Sequence, residues 1–79
     1  MPAVTIYSTP TCPYCKMAKT YLGEKGIAFT DIDVSLDPAK AEEMIQKSGQ
    51  MGVPVLDIGS RIIVGFDRAQ IDAALAAPS

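Results

Sequence analysis

The chain has 79 residues, of which 48% are hydrophobic and 20% charged, with 7 Lys and Arg against 9 Asp and Glu, 2 Cys, no His and no Trp. This composition belongs to a folding chain, and the length leaves room for one domain, residues 1–79. The lack of His excludes an imidazole base, a Cys-His or Ser-His nucleophilic pair and a Cys/His zinc finger, and single scattered cations at net charge −2 exclude a nucleic-acid binder's footprint.

Val4 and Ile6 alternate with Thr5 and Tyr7 as a strand does, and the run stops at the loop-forming Ser8-Thr9-Pro10-Thr11. Pro13 suits a first helical turn, and Cys15, Ala18 and Leu22 recur at helical spacing, which predicts a helix over 13–25 ending near Gly26, with Cys12 at its N-cap. A second strand is expected over 28–34, where Ile32 and Val34 alternate with Asp31 and Asp33. Asp37 before Pro38 marks the cap and first turn of a second helix, with a stripe of Ala41, Met44, Ile45 and Ser48 and a Glu43–Lys47 pair at i, i+4, ending near Gly49. Strands over 53–58 and 61–64 flank Gly59-Ser60, and glycine in first place points to a type II′ hairpin turn. Asp67 with Gln70 resembles a capping box for a last helix carrying Ile71, Ala74 and Leu75. The C-terminal Ala76-Ala77-Pro78-Ser79 reads as a frayed end. The first residues show neither a basic leader nor a long apolar run, so no signal peptide or membrane span is readable and a cytoplasmic location is expected.

The order βαβαββα implies a parallel pair with a right-handed crossover, extended by an antiparallel hairpin. The expected architecture is α/β, a four-stranded mixed sheet flanked by three helices.

Cys12-Pro13-Tyr14-Cys15 is the strong chemical signal. A C-x-x-C pair beside a strand–helix–strand pattern reads as a redox motif. A thiol at a helix N-terminus faces unsatisfied N–H groups and the positive end of the helix dipole, which favour thiolate, so Cys12 is the expected nucleophile. Cys15, one turn further on the apolar face, is the expected resolving thiol. Three other readings compete: a structural disulfide, which would close too short a loop to restrain the unfolded chain much; half of a zinc site, which lacks further Cys or His; and a pair of inert buried cysteines. Lys16 and Lys19 flank the motif; one reading has their positive charge holding Cys12 as thiolate, and the favoured one has them as solvated helix-face lysines.

Thr11-Cys12-Pro13-Tyr14-Cys15, Gly52-Val53-Pro54-Val55 and Val64-Gly65-Phe66-Asp67, in this order and spacing, resemble the glutaredoxins over nearly the whole chain. The resemblance implies a minimal thioredoxin fold with the sheet order second, first, third, fourth strand, a cis Val53–Pro54 bond facing the cysteines, and a Val53 backbone that pairs with substrate. It implies dithiol thiol-disulfide oxidoreductase activity, with glutathione as reductant, no tightly bound cofactor, no metal, disulfide-containing client proteins and a monomeric chain. Glutathione would meet Phe66-Asp67, Gln50 and Tyr14; the Asp67 helix start can also receive an anionic carboxylate. Three positions depart from the family pattern: Thr9 stands where many members carry Lys, Gly52 where they carry Thr, and Val64 where they carry the first Gly of a pair. These departures weaken the implied glutathione site, and Gly65-Phe66 is similar to the redoxins that serve ribonucleotide reductase and are recharged by thioredoxin reductase. A third implied role is glutathione-dependent carriage of an iron-sulfur cluster on Cys12 of two chains.

Overall fold

A computed structural model describes residues 3–76; of the frayed end expected at 76–79, Ala76 instead closes the last helix and 77–79 lie outside the described residues. The elements are β1 (Val4–Ser8), α1 (Pro13–Glu24), β2 (Thr30–Asp33), α2 (Pro38–Ser48), β3 (Val55–Ile58), β4 (Arg61–Val64) and α3 (Arg68–Ala76). The sheet runs β2-β1-β3-β4, with β1 parallel to β2 and the other two pairings antiparallel. This is the minimal thioredoxin fold.

Strand alternation divides the core into two layers. Val4, Ile6, Leu56, Ile58 and Ile63 point to one face and meet Ala18 and Leu22 of α1 and Ile71 and Ala74 of α3. Tyr7 and Val55 point to the other face and meet Met44 of α2, with Ile32, Val34, Ile45 and Ile62 packed around them. Phe29, an odd number of residues from Ile32, packs in the first layer, opposite Ile32 and Val34.

Caps place the helices where the sequence puts them. Asp37 accepts from the N–H groups of Ala39 and Lys40 at 3.1 and 3.2 Å, and α2 ends on Gly49 at φ 76°, a left-handed conformation that a side chain would strain. Three local expectations change, the first being that β2 spans Thr30–Asp33 rather than 28–34. In the β3–β4 turn both Gly59 (φ 53°) and Ser60 (φ 76°) are left-handed, so the turn is type I′ rather than II′; Gly first is compatible with either, and the second residue decides. The third strand begins at Val55 rather than Val53, because Pro54 has no N–H to donate and its carbonyl accepts instead from Gly65 at 2.8 Å. The Glu43–Lys47 pair is present but long at 4.0 Å, since Lys47 turns to Asp57 on β3 at 2.8 Å. Among the described residues no helix is long and apolar enough to cross a membrane.

Candidate redox site

Register decides which loops meet. Ser8 lies opposite Asp33, Tyr7 opposite Val55, and Val55 opposite Val64, so β1, β2 and β4 end, and β3 begins, at one edge of the sheet. The segments 9–12, 34–37, 50–54 and 65–67 therefore gather there, from positions far apart in sequence.

Cys12 is the N-cap of α1, with an extended backbone at φ −92° and ψ 111°. Its Sγ accepts the Cys15 N–H at 3.1 Å, so the sulfur takes the place of the usual capping oxygen. The same thiol lies 3.8 Å from the Val53 carbonyl, which brings the cis Val53–Pro54 segment against the motif as the resemblance implied. Both cysteines are free thiols, and they differ in access: Cys12 is half-buried, whereas Cys15 is 0% exposed. Burial pushes the Cys15 thiol up to about 11; its hydrogen bond with Cys12 adds to the rise, while the Thr9 backbone and Lys19 oppose it. Cys15 is thus held protonated beneath a more accessible sulfur.

The remaining candidates take different positions around this pair. Tyr14, 62% exposed, stands out from the first turn of α1. Gln50 is exposed and folds over Gly52, where an added Cβ would lie 3.3 Å from the Gln50 side-chain nitrogen. The threonine common at this position would thus press on Gln50. Phe66 is half-buried and packs edge-to-face on Tyr21, with ring centroids 5.8 Å apart, so it belongs to the margin of the core as well as to the site edge. Asp67 caps α3: its carboxylate accepts the Gln70 N–H at 3.1 Å and the Gln70 side-chain amide at 2.9 Å. This is a variant of the expected box, because the Gln70 amide bonds the capping carboxylate rather than the cap backbone. The hydrogen bonds from Gln70, backbone first, hold the Asp67 carboxyl below its usual range.

Lys16 is exposed, as expected, but Lys19 is not simply solvated. Its ammonium lies 2.8 Å from Asp31 on β2, whose carboxylate also accepts from the buried Ser8 hydroxyl at 2.7 Å. Neither contact has a local sequence signal, since the partners are 12 and 23 residues apart. Among the described residues no three or more His, Cys, Asp or Glu side chains gather as a metal site.

The glutaredoxin family model matches residues 4–63, which hold both cysteines and the Val53–Pro54 bond and stop short of Phe66 and Asp67. The chain belongs to the glutaredoxin family. It is 54% identical over 69 residues to a glutaredoxin-like 8.6 kDa protein in the rubredoxin operon of Clostridium pasteurianum, covering 87% of this chain and 92% of that one. It is 43% identical over 67 residues to glutaredoxin 3 of Escherichia coli, covering 85% of this chain and 81% of that protein. The solved structure of the glutaredoxin-like NrdH-redoxin of Escherichia coli superposes with a TM-score of 0.83 at 27% identity, covering 98% of this chain and 97% of that one. A glutaredoxin-type chain on a thioredoxin fold is a redox protein.

Proposed function

We propose that this glutaredoxin is a dithiol thiol-disulfide oxidoreductase with Cys12 as the attacking thiol and Cys15 as the resolving thiol. The Cys12 thiolate attacks one sulfur of a disulfide; the other sulfur leaves as a thiolate and takes up a proton. Cys15 then loses its proton and attacks the Cys12 sulfur of the mixed disulfide, the second thiol departs, and a Cys12–Cys15 bond remains. Two electrons pass from the dithiol to the substrate, and an external reductant returns them. This chemistry needs no tightly bound cofactor.

The asymmetry of the pair carries this reading. A half-buried sulfur sits at a helix start, where N–H donors stabilise negative charge, and a fully buried thiol waits behind it within one turn. Substrate would approach over the Val53 and Pro54 backbone. Glutathione, as the reductant proposed here, would lie across Tyr14, Gln50, Val53, Pro54, Phe66 and Asp67.

A second reductant, thioredoxin reductase, is favoured by two observations at this site. The Asp67 carboxylate is occupied by Gln70 on both oxygens, and Thr9 supplies no cation for a glutathione carboxylate. The NrdH-redoxin that superposes on the chain is described as having a thioredoxin-like activity profile.

NADPH oxidation during reduction of a protein disulfide separates these possibilities. Turnover with glutathione and glutathione reductase supports the first reductant, and turnover with thioredoxin reductase alone supports the second. The Cys12→Ser variant is expected to lose turnover with either system. Cys15→Ser is expected to stop at a mixed disulfide, visible as a stoichiometric mass increase on the intact protein. A fully active Cys12→Ser variant would overturn the assignment of Cys12.

A further inference from the structure

Lys19 lies four residues beyond Cys15 on α1, so the two side chains neighbour each other on one face, a single helical turn apart. A lysine at such a position ordinarily extends into water. Here the Lys19 side chain is 27% exposed, and its ammonium is fixed by the 2.8 Å contact with Asp31. Asp31 is fixed in turn by Ser8, which is 1% exposed and donates to it at 2.7 Å from the last position of β1. Burial raises the Asp31 carboxyl, but the hydrogen bonds from Lys19 and Ser8 outweigh it and hold the group below its usual range, so the pair remains charged. This chain of contacts joins the strand that leads into the redox motif, the neighbouring parallel strand and the helix that carries Cys15.

We propose that Lys19, held by Asp31 and Ser8, is a positioning residue that supplies the positive charge needed by Cys15 when it resolves the mixed disulfide. The inference rests on the roles assigned above to Cys12 and Cys15. The groups whose charge or hydrogen bonds bear on the Cys15 thiol are Cys12, the Thr9 backbone and Lys19; from β2, Asp31 is the counter-charge of Lys19, while Asp33 on the same strand turns to Ser35. Before the first attack, the hydrogen bond with Cys12 opposes ionisation of Cys15. Once Cys12 is in a mixed disulfide it carries no charge and no longer competes for the negative form. The thiolate that must then form at Cys15 is buried, and Lys19 is the cation a helical turn away that favours it. Cys12 lies seven residues from Lys19, on the order of 10 Å along the helix, where solvent and salt screen the same charge.

Dithiobis-nitrobenzoate reports the two steps separately, because attack by Cys12 releases one coloured thiolate and attack by Cys15 on the resulting mixed disulfide releases the second. For Lys19→Gln, the first release is expected to stay within about twofold of the parent. The second is expected to slow roughly threefold to fivefold near pH 7, with its pH profile moved upward by about half a unit, as suits a unit charge partly offset by its counter-ion. Lys19→Arg keeps the charge and is expected to restore the second release. An unchanged second release in Lys19→Gln, equal slowing of both releases, or failure of Lys19→Arg to restore the rate would each overturn the proposal. If the parent protein releases only one equivalent, the assignment of Cys15 as resolving thiol fails first, and this inference with it.

Discussion

Tyr7 is 1% exposed, yet its hydroxyl is fully used: it donates to Glu43 at 2.6 Å and accepts from Lys47 at 2.9 Å, and Lys47 also reaches Asp57 at 2.8 Å. The Lys47 ammonium lies 5.3 Å from the Tyr7 ring centre, near the range of a cation–π contact. This knot fastens α2 to the centre of the sheet, a task the apolar stripe of α2 performs thinly, since Met44 is the buried residue of that helix. Tyr7→Phe keeps the ring and removes the hydroxyl, leaving Glu43 and Lys47 to rehydrate. It is expected to cost about 1–2 kcal/mol in urea denaturation, with the redox motif on the opposite face of β1 unaffected in its first reaction with an aromatic disulfide. A loss below about 0.3 kcal/mol would show that the network contributes nothing beyond ring packing.

Among the elements, the β3–β4 hairpin offers the plainest test. Ser60 holds φ 76°, a conformation in which a Cβ is crowded and for which glycine is suited. Ser60→Gly is therefore expected to stabilise the protein by roughly 0.5–1 kcal/mol, read from the denaturation midpoint. At α2, Asp37→Ala removes the acceptor for two backbone donors and is expected to cost about 1 kcal/mol. The helices were legible because their signals are local: Cys12-Pro13, Asp37-Pro38 and Asp67 through Gln70 each announce a helix start within four residues. Strand existence was legible from alternation, and the sheet order was available through the likeness of three separated motifs to one family. The Cys12 and Cys15 pair stood out through its spacing and its place at a helix start. What escaped depends on distance or on a conformational choice made by the fold. The turn type rests on the backbone of Ser60, the start of β3 rests on Pro54, and Lys19 finds its charge partner on a strand that no local pattern connects to it. The Gln50 side chain over Gly52 was likewise invisible, because the space it uses is a missing methyl group.

For the molecule as a whole, the absence of histidine shapes the response to pH. In the oxidised protein no thiol titrates, and no side chain of ordinary pKa lies between about pH 5 and pH 9. Stability is expected to be level across that range. Hydrogen bonds hold Glu43 (from Tyr7 first), Asp67 (from Gln70) and Asp72 (from Tyr21 first) below their usual pKa, and Lys19 and Ser8 do the same for Asp31 against the cost of burial. Groups depressed in the fold contribute stability above their unfolded pKa of about 4 and lose it as pH falls through the folded value. The acid edge should therefore begin near pH 4 and extend below it. Tyr7 moves the other way, raised by burial and by Glu43, so its contribution is complete below about pH 10 and is lost as pH rises through its folded value. Thermal melts of the oxidised protein from acid to alkali would show a plateau with two falling edges; a step near pH 6.5 would contradict this account.

The same register that collects the site loops at one edge sends other features to the opposite edge. There the Gly59 N–H bonds the Ala3 carbonyl at 3.0 Å, Ile58 faces Val4, and the Gly59-Ser60 turn projects. The five residues of β1 separate the two edges by roughly 17 Å. A cargo tethered at the 59–60 turn would trail behind the protein while the cysteines face an incoming partner. The fold thus has a natural handle, and a probe or surface anchored there should leave the encounter geometry of the reactive edge intact.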